Sequence, residues 1–344
     1  MKQVVQSLLS LLFIVFLTNC SNSHQFDVLI KGGQIIDGSG QASYVGDIGI
    51  NADTIAAIGQ LQDAKGKTEI DATGLAVAPG FINMLSWAVE SLIEDGKSQS
   101  DIRQGVTLEV FGEGTSMGPL TETSKKDLIA GQSDIRYDVE WNTLAEYLEF
   151  LTKKGVAPNV ASFVGATTLR INALGFENRA PTTEELAYMQ QMVRKAMEEG
   201  ALGIGSSLIY APAFYSSTEE LIALCKVAAE YDGMYISHMR SEGNQFLDEL
   251  IQIADEADIR AEVYHLKMAG KDNWNKFDQV IAKIDSARAA GLHITTDMYN
   301  YTAGATGLDA AMPPWVQEGG YSQWAKRLQD PEIRKKVKHE MLTK

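Results

Sequence analysis

Between residues 75 and 299 the sequence repeats one rhythm: a short apolar run, a polar loop, then an amphipathic stretch of helical length. This alternation constrains the fold most, because strands separated by helices assemble into parallel sheets with right-handed crossovers. Seven runs have strand character, at 75–81, 106–111, 160–164, 202–208, 234–239, 261–266 and 294–299. The helices between them carry their own start and stop signals. Thr182-Thr-Glu-Glu185 reads as a capping box, Leu186, Met189, Val193 and Met197 then share one face, and Gly200 closes the run. Ser217-Thr-Glu-Glu220 opens another helix in the same way, through Leu224 and Val227, with Gly233 beyond it. The alternation predicts an α/β chain of the (β/α)8 TIM-barrel type, over residues 79–344. An eighth strand is not visible, and residues 322–344 read as charged helix. The barrel is therefore expected to be incomplete, a piece of a longer protein cut before strand 8.

Residues 26–78 have a different texture of short strands and tight turns. Two β runs flank Gly32-Gly33, and Asp37-Gly38 supplies a further turn. This segment is expected to be a small, partial β-sandwich domain. Ahead of it, Lys2 precedes an apolar run at 4–17, broken by Gln6, Ser7 and Ser10, and then comes Leu17-Thr-Asn-Cys20. The run is too short to span a bilayer and has the shape of an export signal. A cysteine directly after it resembles the bacterial lipobox, with residues 1–20 as a lipoprotein signal, Cys20 lipidated and 21–25 a tether. The alternative is a plain secretory signal with an incidental cysteine. On the first reading the protein is exported and faces the periplasm or cell surface, meeting the membrane only through its lipid. Cys225, in the apolar stretch 221–228, reads as a buried helix residue, so no disulfide framework is expected. The net charge of −15 argues against nucleic acid, whose phosphates need clustered Lys and Arg. No phosphate-binding glycine loop is present.

Two segments carry the chemistry. Met234-Tyr-Ile-Ser-His238 and Ala261-Glu-Val-Tyr-His265 are each an apolar strand ending in histidine, followed by a polar loop, with 26 residues between the histidines. Neighbouring strand ends of a parallel barrel converge on one face, so two such imidazoles can share a ligand. They make half of a zinc site, which wants three protein ligands and an open position. The plainer alternative makes them polar caps where strands leave the core.

The opening unit and the stretches QGVTLEVFGEG, ALGIGSSLIYAP, YISHMRSEGN, VYHLKMAGKDNW and DMYNYTAG together resemble the D-aminoacylase branch of the amidohydrolase superfamily, the N-acyl-D-amino-acid deacylases. The similarity runs from about Phe26 to Lys344. It implies a zinc-dependent barrel hydrolysing the amide of N-acyl-D-amino acids by zinc-activated water. His238 and His265 fall on the histidines of the family's tightly held zinc. Tyr210, Lys267 and Tyr299 fall on substrate-binding positions, with strand alternation keeping Lys267 on the face of His265. As alternatives, Lys267 is a surface cation and Tyr210 a packing aromatic.

Three departures qualify that implication. The family's His-x-His after Pro-Gly-Phe-Ile is replaced here, with Leu85 and Trp87 standing where the imidazoles would. The second, weaker metal site loses those ligands, and one zinc per chain is expected. The strand-two cysteine ligand falls on Gly114, so Glu113 is the nearest replacement, after a one-residue shift; the alternative pairs it with a cation. The catalytic aspartate belongs to the eighth strand and is expected beyond Lys344, since Asp297, on strand seven, is poorly placed to replace it. Two other functions compete. A dihydroorotase- or hydantoinase-like cyclic-amide hydrolase would carry a strand-four lysine, absent from Leu202-Gly-Ile-Gly-Ser-Ser-Leu208. An inactive lipoprotein that only binds acyl-amino acids would explain loss of the His-x-His. Acyl-chain preference and oligomeric state are not readable.

Overall fold

The structure, a computed structural model, describes residues 25–242 and 247–343. The export signal, the Cys20 lipidation site and the tether, apart from Gln25, lie outside the described residues. Among the described residues no helix is long and apolar enough to cross a membrane. The chain divides after Gly80 into two compact units.

The first unit is a single mixed sheet. Its strands are β1 (Gln25–Ile35), β2 (Tyr44–Asn51), β3 (Thr54–Gly59), β4 (Lys65–Asp71) and β5 (Ala76–Val77), in the order β3-β2-β1-β4 with β5 also on β1. Its small core holds Phe26, Leu29 and Ala64. The expected turn at Gly32-Gly33 is instead a bulge inside the continuous strand β1, where the β2 register shifts between Ile30 and Gly33. Gly32 takes φ +66°, open to glycine without strain, and the buried Asp47 carboxylate accepts its N–H at 2.8 Å. The run at 75–81 also divides differently from the reading above. Ala76–Val77 pairs with β1, and the first strand of the second unit starts only at Phe81. Pro79-Gly80 separates the two, since proline cannot donate to a ladder.

The second unit alternates as expected. Its strands are β6 (Phe81–Asn83), β7 (Val106–Phe111), β8 (Asn159–Ser162), β9 (Val164–Gly165), β10 (Gly203–Ser207), β11 (Met234–His238), β12 (Arg260–Val263) and β13 (Ile294–Thr296). All pairings are parallel, in two sheets ordered β6-β7-β8 and β9-β10-β11-β12-β13. β8 and β9 are successive pieces of one strand interrupted at Phe163, and they join the sheets in sequence. Seven barrel strands therefore stand side by side, with no closed barrel among the described residues. Val110 of β7, Phe163 between β8 and β9, Ile236 of β11 and Tyr264 just after β12 form a buried inner cluster.

The helices pack outside on a larger core. Thr182 caps Thr183–Glu198 with both halves of the box formed, and Met189, Val193 and Met197 are buried. Helix Thr218–Ala229 departs from its reading. Ser217 accepts the Glu220 N–H, but the Glu220 carboxylate does not return to close the box. It turns inward to the fully buried Arg170 of helix Ala166–Leu174, at 2.6 Å. A buried guanidinium left unpaired costs more than half a capping box returns. Cys225 is buried in this helix, as its apolar neighbours imply.

Candidate metal centre and substrate cavity

His238 is the last residue of β11, and its position follows directly from the strand. His265 lies two residues past β12, at φ +41°. A left-handed histidine is strained, and here Asp297 holds it: its Oδ1 accepts the His265 N–H at 2.5 Å. Glu113 follows β7 between Gly112 (φ +108°) and Gly114 (φ +74°). Gly114, the expected cysteine position, is sterically closed. A Cβ on Gly114 would sit 2.7 Å from Ser207 Cβ, so this position has no room for a side chain, while the adjoining Glu113 carries a carboxylate.

These three residues converge. Glu113 Oε1 lies 2.9 Å from His238 Nδ1, His238 Nδ1 lies 3.1 Å from His265 Nε2, and Glu113 Oε1 lies 3.9 Å from His265 Nε2. A tetrahedral ion about 2.0–2.1 Å from each donor spaces the donors roughly 3.3 Å apart, in the middle of this range. Among the described residues this is the one cluster of His, Cys, Asp or Glu ligand atoms lying within 4.8 Å of one another. Both histidines are buried, and His238 Nε2 has no hydrogen-bond partner. Burial pushes the Glu113 carboxyl up, but hydrogen bonds and charge from the two imidazoles override it and hold the group at about 2. Three lone-pair donors facing one another around an ionised carboxylate suit a cation.

The substrate-binding candidates share a cavity of about 600 Å3 with this cluster. Lys267 Nζ lies 3.0 Å from His265 Nδ1 and 5.3 Å from the Tyr299 ring centre. Its place does not come from strand alternation, since β12 has already ended at Val263; the left-handed turn at His265 brings it there. Tyr210 presents its ring edge-on to His238, 5.5 Å between centres, and shares a 2.6 Å hydrogen bond with Thr306. Tyr299 stacks on Tyr301 at 4.4 Å. Leu85 and Trp87 line the same cavity and offer no ligand atom.

Two acids enter that the sequence reading left without a place here. Glu242, four residues past His238, pairs with Lys267 and lies 3.6 Å from His265 Nδ1. Its only signal was its position in the loop after a candidate ligand strand. Asp297 also lines the cavity, because β13 ends at Thr296 and the next residue turns toward His265. Burial raises its carboxyl, the His265 N–H opposes this and neighbouring Glu262 adds to it, with the balance at about 7. Its Oδ2 is buried without a partner.

His238 at the end of β11, His265 two residues past β12 and the Glu113 carboxylate converge beside an open cavity, a donor set that could hold a metal ion. The relatives agree. No family profile matches the chain. D-aminoacylase of Alcaligenes xylosoxydans xylosoxydans is 36% identical over 293 residues, covering 83% of this chain and 60% of that protein. N-acyl-D-glutamate deacylase of the same organism is 32% identical, covering 82% and 58%. The crystal structure of N-acyl-D-glutamate deacylase from Bordetella bronchiseptica, complexed with zinc and a phosphonate inhibitor, superposes with a TM-score of 0.72 at 31% identity, covering 81% and 59%. The homologues and structural neighbours of this chain are thus D-aminoacylases and N-acyl-D-amino-acid deacylases of the amidohydrolase superfamily. The chain spans less than two thirds of the length of these relatives.

Proposed function

We propose that the protein is a zinc-dependent hydrolase cleaving the amide of N-acyl-D-amino acids. The convergence of Glu113, His238 and His265 at one end of a cavity that also holds Lys267 carries this reading. Zinc, when bound, polarises a carbonyl oxygen and lowers the pKa of water. The chain's own residues do the rest. Glu113, His238 and His265 would hold the ion, and Asp297 fixes the turn that carries His265. Lys267 supplies the positive charge for the substrate carboxylate, which competes with Glu242 for it. Tyr210 and Tyr299 offer hydroxyls to orient the acyl group. One zinc per chain fits the apolar Leu85 and Trp87.

A cyclic-amide hydrolase of the lysine-bridged kind is disfavoured, because β10 contains no lysine. Export and Cys20 lipidation belong to the same proposal, supported by Lys2 and the apolar run before Cys20. Incubating the purified full-length protein with N-acetyl-D- and N-acetyl-L-leucine, with and without chelator, tests the activity. Amine release from the D-enantiomer that chelator abolishes is expected. Metal-independent release, or none from any N-acyl-D-amino acid, refutes the reading.

A further inference from the structure

Each histidine of the centre has two ring nitrogens, and only one of each faces Glu113. His238 turns Nδ1 toward that carboxylate and His265 turns Nε2, so these are the lone pairs an ion would take. In a neutral imidazole the other nitrogen then carries the proton and needs an acceptor. For His238 that outer nitrogen is Nε2, which is buried and has no hydrogen-bond partner. For His265 it is Nδ1, which lies 3.0 Å from Lys267 Nζ. An ammonium has donors and no lone pair, so it cannot serve a protonated Nδ1.

One carboxylate stands on the outer side of both rings. Glu242 Oε1 lies 3.6 Å from His265 Nδ1 and 3.9 Å from His238 Nε2. Each gap exceeds a hydrogen bond by less than about 1 Å, the reach of a small side-chain rotation. Glu242 comes from the loop after β11, four residues past His238, and its ion pair with Lys267 keeps it at this point. The same contacts set the side on which an ion belongs. The Lys267 ammonium already fills the space between Glu242 and the outer nitrogen of His265, whereas Glu113 and the two inner nitrogens face one another.

Resting on the metal centre of the function proposed above, we propose that Glu242 is a positioning residue for that centre. Its carboxylate accepts the outer N–H of both His238 and His265, and so holds the rings in the tautomers that aim Nδ1 and Nε2 at Glu113. Lys267, which cannot donate to a protonated Nδ1, keeps Glu242 as its partner. Ligating imidazoles held by a carboxylate in this way are more basic and better oriented, and loss of such a partner weakens metal binding by about ten- to a hundredfold. Two plainer roles compete: Glu242 as a counter-ion for Lys267 alone, or as a negative charge that attracts any cation nearby.

The zinc affinity of the purified full-length protein, measured by competition with a chromophoric chelator, separates these roles without any need for turnover. Glu242→Ala is expected to weaken zinc binding about ten- to a hundredfold. Glu242→Gln removes the same charge but keeps a carbonyl acceptor, so its loss should be clearly smaller. The alanine effect should persist in a Lys267→Met background. In the cobalt-substituted protein, the exchangeable imidazole N–H proton resonances of both histidines should be visible in wild type and broadened by solvent exchange in Glu242→Ala. Unchanged zinc affinity, equal losses for alanine and glutamine, a loss that vanishes in the Lys267→Met background, or N–H resonances unaffected by Glu242→Ala overturns the inference. A wild type that binds no zinc overturns it together with the metal centre. Zinc binding that depends on Glu242 as described, with no hydrolysis of any N-acyl-D-amino acid, supports it and refutes the proposed activity alone.

Discussion

Replacing Asp297 by asparagine should stabilise the metal-free protein at alkaline pH and leave it unchanged at acid pH. The carboxyl is raised from 3.8 to about 7. An unfolded chain releases that proton near pH 4, whereas the folded protein keeps it to about pH 7. Between these values the folded state holds more protons, so stability falls as pH rises through the window, and the full cost is present above it. A shift of about three pKa units corresponds to an upper bound of roughly 4 kcal/mol. Partial solvation reduces this, and about 2 kcal/mol is expected at pH 8.5. The asparagine side chain keeps an oxygen to accept the His265 N–H, so the turn survives the change. Urea unfolding of wild type and Asp297→Asn in chelator, at half-unit steps from pH 4 to 8.5, gives the difference directly. It should be near zero at pH 4 and grow through neutrality. A difference constant across the range would show that Asp297 ionises normally, and the burial argument fails.

Lys267→Ala should lower kcat/KM for N-acyl-D-amino acids by roughly ten- to a hundredfold, the worth of a charge-assisted hydrogen bond, with zinc content intact. Unchanged kinetics in a folded variant return Lys267 to the role of a surface cation. Arg170→Met should cost about 3–5 kcal/mol of stability by leaving the Glu220 carboxylate buried alone, and adding Glu220→Leu should recover most of it. Denaturant midpoints read both changes, and a single-variant loss under about 1 kcal/mol contradicts the pair's burial.

Much of the second unit was legible because two periodicities alternate. The strands at 106–111 and 234–238 match their apolar runs closely, and capping threonine and serine mark the helix starts. Boundaries failed where backbone geometry, and not pattern, decides. Gly32 makes a bulge and not a turn, and His265 stands beyond its strand in a left-handed turn that no alternation forecasts. Within the site, His238 was readable as a strand end, whereas His265 lies two residues beyond its strand. Glu113 was reached through the resemblance and a register shift, and the crowding of Gly114 against Ser207 leaves no room for a side chain at the unshifted position. Glu242 and Asp297 were not readable as site residues. Their approach to Lys267 and His265 depends on loop paths that leave no periodic trace.

The metal content of the purified full-length protein tests the centre most directly. Elemental analysis after dialysis should give about one zinc per chain, and the His238→Ala, His265→Ala double variant should bind none. Two tightly held zincs per chain, or undiminished binding in that variant, would contradict a single centre built on Glu113, His238 and His265.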